Sequence, residues 1–175
     1  MSDGELVRRA REGDEAAFSA LVREHGEAVY RTALSMVSDP DVAQDVAQET
    51  FLKAYRALPG FRGDAAFRTW ILTIAGNAAR GVLRRSGRRR ETDIDAGPPI
   101  PSEEASPEDE AVMADEAVRA RRVLERLPEK QRLSIQLRVD QGLSFREIGE
   151  IIGSSEGAAR VNYFHGIRRL REMME

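Results

Sequence analysis

The sequence predicts an all-α fold of two small helical bundles joined by a flexible acidic linker. Apolar residues recur at three- and four-residue spacings on both sides of the chain, and residues that start and stop helices punctuate these runs. Charge then divides the 175 residues into three parts: counting Lys and Arg against Asp and Glu, residues 1–90 carry +3, residues 91–116 carry −10 and residues 117–175 carry +4. The formal charge of −3 conceals this segregation. The predicted division is a first bundle over 1–90, a linker over 91–107 and a second bundle over 108–175.

The first bundle begins with helices over residues 4–37, broken at Gly13-Asp14, with Phe18, Leu21, Val22, Val29, Leu34 and Val37 as apolar positions. A new helix is expected at Asp39-Pro40, because proline is tolerated in a first turn and an acid suits the positive end of the helix dipole. It runs through DVAQDVAQETFLKAYRAL and stops at Pro59-Gly60. Val42, Val46, Phe51, Leu52 and Tyr55 are expected on its buried side. Asp41, Asp45, Gln48, Glu49 and Lys53 are left toward solvent, where a plain solvated face is the simplest account.

A glycine-containing loop with Phe61 and Phe67 leads into a helix carrying the only tryptophan, Trp70, and six arginines between Arg80 and Arg90. Aromatic faces beside arginines suit single-stranded nucleic acid, since bases stack on the rings while the cations hold the backbone. Phe67 and Trp70 are also three residues apart, a spacing that fits core packing equally. Asn77 is a lone amide among Ile74, Ala75, Gly76, Ala78 and Ala79, either a surface residue or a group able to read a base edge.

The linker, ETDIDAGPPIPSEEASP, combines four prolines with acids and small residues and cannot bury enough apolar surface to fold alone. Its 17 residues reach roughly 58 Å fully extended, beyond one turn of B-DNA at about 34 Å, so the two bundles could engage separate DNA sites. Its carboxylates are expected to fold back on the basic bundles in the free chain and compete with DNA phosphates.

In the second bundle, LPEKQRLSIQLRVDQGLSFREIGEIIGSSEGAARVNYFHGIRRL reads as a helix-turn-helix. Ser144 and Glu147 form a capping box at one helix start. Ile148, Ile151 and Ile152 give that helix an apolar face, Gly153-Ser154 break it, and Ser155 caps the next. In the last helix Ala159, Tyr163, Gly166 and Leu170 form a packed stripe. Arg160, Val161, Phe164, His165 and Arg168 are left free, as suits guanine edges, phosphates and thymine methyls in a major groove.

Composition excludes much else. With no cysteine there is no disulfide framework, thiol sensor or cysteine-based zinc site. His25 and His165 lie far apart without ligand-like neighbours, so no metal or cofactor is expected. No apolar run approaches membrane-spanning length and the N-terminus is not a secretory signal, so a soluble cytoplasmic protein is expected. A Gly-rich phosphate loop, a nucleophile motif and metal-spaced acids are all lacking, which argues against an enzyme and a small-molecule substrate.

Together these motifs resemble a bacterial RNA polymerase sigma factor of the extracytoplasmic function class. DVAQDVAQETFLKAYRALPGFRGDAAFRTWILTIAGNAARGVLRR resembles the second sigma domain, and LPEKQRLSIQLRVDQGLSFREIGEIIGSSEGAARVNYFHGIRRLRE the fourth. The resemblance implies that Asp45, Gln48, Glu49 and Lys53 dock on the clamp helices of the largest subunit of core RNA polymerase, with the flap as a further contact. It implies minus-10 recognition and melting by Phe61, Arg62, Asp64, Phe67, Arg68, Trp70, Asn77, Arg80 and Arg84, which capture a flipped base. It implies minus-35 recognition by Ser155, Arg160, Val161, Phe164, His165 and Arg168. The linker would thread the nucleic-acid channel of the polymerase, and a cognate anti-sigma factor, often membrane-bound, would cover the docking faces.

The chain departs from the family pattern at Thr73, Arg80 and Gly81, so promoter identity does not carry over. Asn162-Tyr163-Phe164 replaces the more usual basic and small residues after Arg160. No sensory module is expected after Glu175. A conventional repressor with only the helix-turn-helix leaves Asp45 to Arg90 unexplained and would normally bind a palindrome as a dimer. A sigma-like decoy, binding an anti-sigma factor without directing transcription, has no need of DNA-reading groups.

Overall fold

The computed structural model describes residues 1–92 and 112–175, and all regular structure among them is helical. Four helices form the N-terminal bundle: α1 (Asp3–Arg11), α2 (Glu15–Val37), α3 (Pro40–Ala57) and α4 (Phe67–Thr92). Four more, α5 (Val112–Glu125), α6 (Glu129–Gln141), α7 (Phe145–Ile152) and α8 (Glu156–Met174), form the C-terminal one. None of the described helices is long and apolar enough to cross a membrane.

Caps set the boundaries where the sequence places them. Asp14 opens α2, its Oδ1 accepting from the Ala17 N–H at 3.2 Å. Arg9 grips its other oxygen at 2.5–2.9 Å and, with the N–H groups it caps, holds the carboxyl below the usual carboxylate range. Asp39 opens α3 by accepting from Asp41 and Val42, with Pro40 in the first turn. Ser38 joins α2 to α3 in a left-handed conformation, φ +60°, that a side chain enters only with strain.

Three aspects differ from expectation. The buried face of α3 is Ala43, Val46, Thr50 and Ala54, and Leu52 and Tyr55 lie outside it at 59 % and 50 % exposure. Small residues take the core because α3 packs closely against α2 and α4, and the larger ones turn outward. α4 runs through Glu91 and Thr92, two residues into the segment expected to be linker. The rest of that segment, with its expected fold-back, lies outside the described residues, as do residues 108–111 of the expected second bundle. Finally, His25 does have ligand-like neighbours. It is buried, its Nε2 lies 2.8 Å from Asp3 Oδ2, and Glu24 completes a trio whose ligand atoms lie within 4.8 Å of one another.

The two bundles also share one apolar core, which runs from Leu21, Val29, Ile71 and Leu72 into Leu133, Leu137, Ile148 and Ile151. The seam is made by α4 against α7 and by α2 against α6. Nothing in the sequence pattern foretells this contact.

Candidate nucleic-acid and polymerase interfaces

The C-terminal bundle carries the helix-turn-helix. Ser144 Oγ accepts from the Glu147 N–H at 3.2 Å while Glu147 Oε2 accepts from the Ser144 N–H at 2.8 Å, completing the capping box. Gly153 ends α7 in the left-handed region, and Ser155 Oγ accepts from the Ala158 N–H at 3.1 Å to start α8. Ala159 and Gly166 are buried, Tyr163 and Leu170 half-buried, and Arg160, Val161, Phe164, His165 and Arg168 exposed. The expected separation of a packed stripe from an open face therefore holds in the fold.

Phe145, the first residue of α7, organises that face. Its ring lies 5.4 Å from Tyr163 and 6.2 Å from Phe164. The guanidinium groups of Arg138 and Arg160 sit over it at 4.7 and 5.3 Å, close enough for cation–π attraction. Glu156 Oε1 accepts from Arg160 at 3.3 Å, so Arg160 is oriented from two sides. Val161 and Phe164, at 54 % and 57 % exposure, present apolar surface to solvent beside it.

In the N-terminal bundle, Phe61, Phe67 and Trp70 stack on one another with centroids 4.6–6.2 Å apart. Phe61 and Phe67 are buried, so in this structure their rings serve the core that supports the loop, and Trp70 is half-buried. Arg62, Asp64, Asn77 and Arg84 are exposed. Arg68 donates to Gln141 Oε1 at 2.5 Å, and Arg80 donates both to Asn77 Oδ1 and to the Ile151 carbonyl. Burial, with Arg84 nearby, pulls the Arg80 pKa down, although a guanidinium remains charged in any case.

On α3, Asp45 and Gln48 are exposed and Glu49 is half-buried, paired to Lys53 at 2.9 Å. Leu52 and Tyr55 continue the open face at helical spacing, with the Tyr55 ring edge-on to Phe18 at 5.0 Å. An acidic and amide strip leading into two exposed apolar side chains is a composition suited to protein docking, since apolar anchors ringed by polar groups carry most interface energy.

Comparison with known proteins accounts for both bundles. The family model Sigma-70 region 2 matches residues 21–89, and Sigma-70, region 4 matches residues 123–172. The chain belongs to the sigma-70 family of RNA polymerase sigma factors. It is 37 % identical to the RNA polymerase sigma-H factor of Pseudomonas aeruginosa, with 99 % of this chain and 92 % of that one covered. It is 39 % identical to the ECF RNA polymerase sigma-E factor of Escherichia coli K12, covering all of this chain and 93 % of that one. Among solved structures it resembles CnrH in complex with the cytosolic domain of CnrY, with a TM-score of 0.70, 26 % identity, and 98 % and 96 % of the two chains covered. It shares its fold with the sigma factor RpoE of Bartonella quintana, solved with the anti-sigma factor NepR, at a TM-score of 0.74, 22 % identity, and 90 % and 96 % coverage.

Proposed function

We propose that the chain is a non-enzymatic transcription initiation factor that directs core RNA polymerase to promoters, with residues 1–90 and 108–175 as its two working domains. The observation that carries this reading is the pairing of two open faces in one chain. One is the Arg160, Val161, Phe164, His165 and Arg168 face of α8, aimed away from its bundle. The other is the Asp45, Gln48, Glu49 and Lys53 face of α3, extended by Leu52 and Tyr55. A repressor built on α8 alone has no use for the second.

In this mechanism α3 docks on the clamp helices of polymerase. α8 enters the major groove of the minus-35 element, where arginine forks read guanine and apolar groups meet thymine methyls. Asn77, with Arg62, Arg68, Arg80 and Arg84 around it, receives a base extruded from the minus-10 element, and the cations hold the strand backbone. No bond is made or broken by the chain. Its work is done in the cytoplasm at the nucleoid. A protein partner that covers these faces is part of this reading; CnrH, which the chain resembles, was solved with the cytosolic domain of CnrY, and RpoE, which shares its fold, with the anti-sigma factor NepR.

Run-off transcription from genomic fragments, with purified core polymerase and this chain, tests the proposal. Discrete start sites that depend on the chain are expected. Core binding without any initiation would mean a decoy, and binding of duplex DNA without core would mean a repressor.

A further inference from the structure

Away from both proposed faces, the first two helices bring three ligand-type side chains together. Asp3 is the first residue of α1, and Glu24 and His25 lie in the middle of α2. The turn at Gly13, φ +97°, reverses the chain so that the start of α1 packs beside that part of α2. One nitrogen or oxygen from each of the three residues then lies within 4.8 Å of the others.

Three observations set this trio apart from an ordinary acidic surface. His25 is buried, at 5 % exposure, with Nε2 held 2.8 Å from Asp3 Oδ2. The other oxygen, Asp3 Oδ1, is shut off from solvent and has no hydrogen-bond partner among the described residues. Burying a charged oxygen in that state is costly, and a cation beside it removes the cost. Among the described residues no Lys or Arg supplies one, since neither Asp3 nor Glu24 forms an ion pair with a basic side chain. A plain pair between Asp3 and a protonated His25 would leave both Oδ1 and Glu24 unanswered.

The donor set has a natural occupant. One imidazole nitrogen and two carboxylates suit a divalent transition ion such as zinc, and three protein ligands leave a fourth position for water. With bonds of about 2.0–2.1 Å, ligand atoms around a tetrahedral zinc stand about 3.3 Å apart. The spacings here, 2.8 Å for His25 and Asp3 and no more than 4.8 Å overall, reach that value by side-chain rotation. Glu24 is exposed and able to swing inward. Glu24 and His25 also line an open, polar cavity of about 290 Å³, which gives an ion its approach.

We propose that Asp3, Glu24 and His25 form a zinc-type divalent metal site that ties α1 to α2. The ion takes His25 Nε2 and one oxygen from each carboxylate, replaces the direct bond between His25 and Asp3, and neutralises two negative charges that share one site. Its binding energy becomes folding energy for this end of the bundle. The His25 ring lies 5.2 Å from Phe67, which stacks on Phe61 and Trp70, so the ion also fixes the aromatic support of the loop over residues 61–66. The site stands apart from the promoter reading and does not rest on it.

The chain has two histidines, so imidazole proton resonances identify the ligand directly. Zinc chloride titrated into the full chain, first stripped with chelator, is expected to bind one ion per chain by calorimetry. It should shift the His25 resonances and leave those of His165 in place. The melting midpoint should rise by about 5 °C or more with zinc roughly a hundredfold above its dissociation constant, and chelator should reverse the rise. Asp3→Asn with Glu24→Gln keeps the imidazole and is expected to weaken zinc binding at least about tenfold. Should that pair fail to fold by circular dichroism, Glu24→Gln alone, at an exposed position, is expected to show the same loss. Absence of saturable binding overturns the site, and so does a shift confined to His165. Equal zinc affinity in the folded variants overturns it as well, leaving Asp3 and His25 as a plain buried pair.

Discussion

Arg160 is fixed before any DNA arrives, by Glu156 one turn back and by the Phe145 ring beneath it. A pre-oriented guanidinium suits bidentate reading of a guanine edge better than screening of a phosphate. Arg160→Ala is therefore expected to cost about 1–3 kcal/mol in promoter affinity, concentrated at one base position. Affinity measurements across single-base variants of an upstream duplex check this, and an equal loss on every duplex would reassign Arg160 to a phosphate. The outward placement of Arg160, Val161, Phe164, His165 and Arg168 was legible in the sequence, because a packed stripe at helical spacing leaves only one other side. Phe145 was not legible as their support, because ring contacts across the turn leave no periodic trace. Asn77 stood out as a lone amide, but its bond to Arg80 depends on how both side chains turn at the bundle seam.

At the scale of the element, the helix-turn-helix was readable from its caps, while its tightest point was not. An added Cβ on Gly149 would lie 2.8 Å from the Ser154 carbonyl oxygen and 3.0 Å from Ser155 backbone atoms. Backbone cannot swing aside as a side-chain end can, so the turn folds back over α7 only if residue 149 has no side chain. Gly149→Ala is expected to destabilise the chain by about 2 kcal/mol or more through this overpacking, read as a lowered urea midpoint. Gly157→Ala, in open space on α8, should change little. For α3 the periodicity misled in the other direction: Leu52 and Tyr55 were counted as core, whereas close helix packing selects Ala43 and Ala54 there. Their exposure gives a separate expectation. Leu52→Ser with Tyr55→Ser should weaken binding to core polymerase, as should reversal of Asp45 and Glu49, with the melting temperature nearly unchanged. Titration of labelled core distinguishes this from a face that merely meets water.

At the scale of the whole molecule, the two bundles and their order were legible because charge and punctuation divide the chain, but their mutual contact was not. Seams of this kind depend on single residues such as Gly76 and Thr69, which carry no pattern of their own. Glu147 shows how closely the seam is tied to local structure: one oxygen caps α7 through Ser144, and the other accepts from Thr69 of α4. Burial opposes ionisation of this carboxyl most strongly. Hydrogen bonds from Ser144 and Thr69, with the Arg68 charge nearby, outweigh it and leave the pKa below the ordinary glutamate value. A depressed folded-state pKa stabilises the folded chain wherever the unfolded carboxyl is ionised, above about pH 4.3, and that stabilisation is lost as pH falls through the lower folded-state value. Glu147→Gln is therefore expected to be less stable than the unsubstituted chain near neutral pH, with the gap narrowing on acidification below about pH 4.3. Urea midpoints for both proteins across that range check the sign, and a gap that stays constant would show that the Glu147 charge contributes nothing to the cap or the seam.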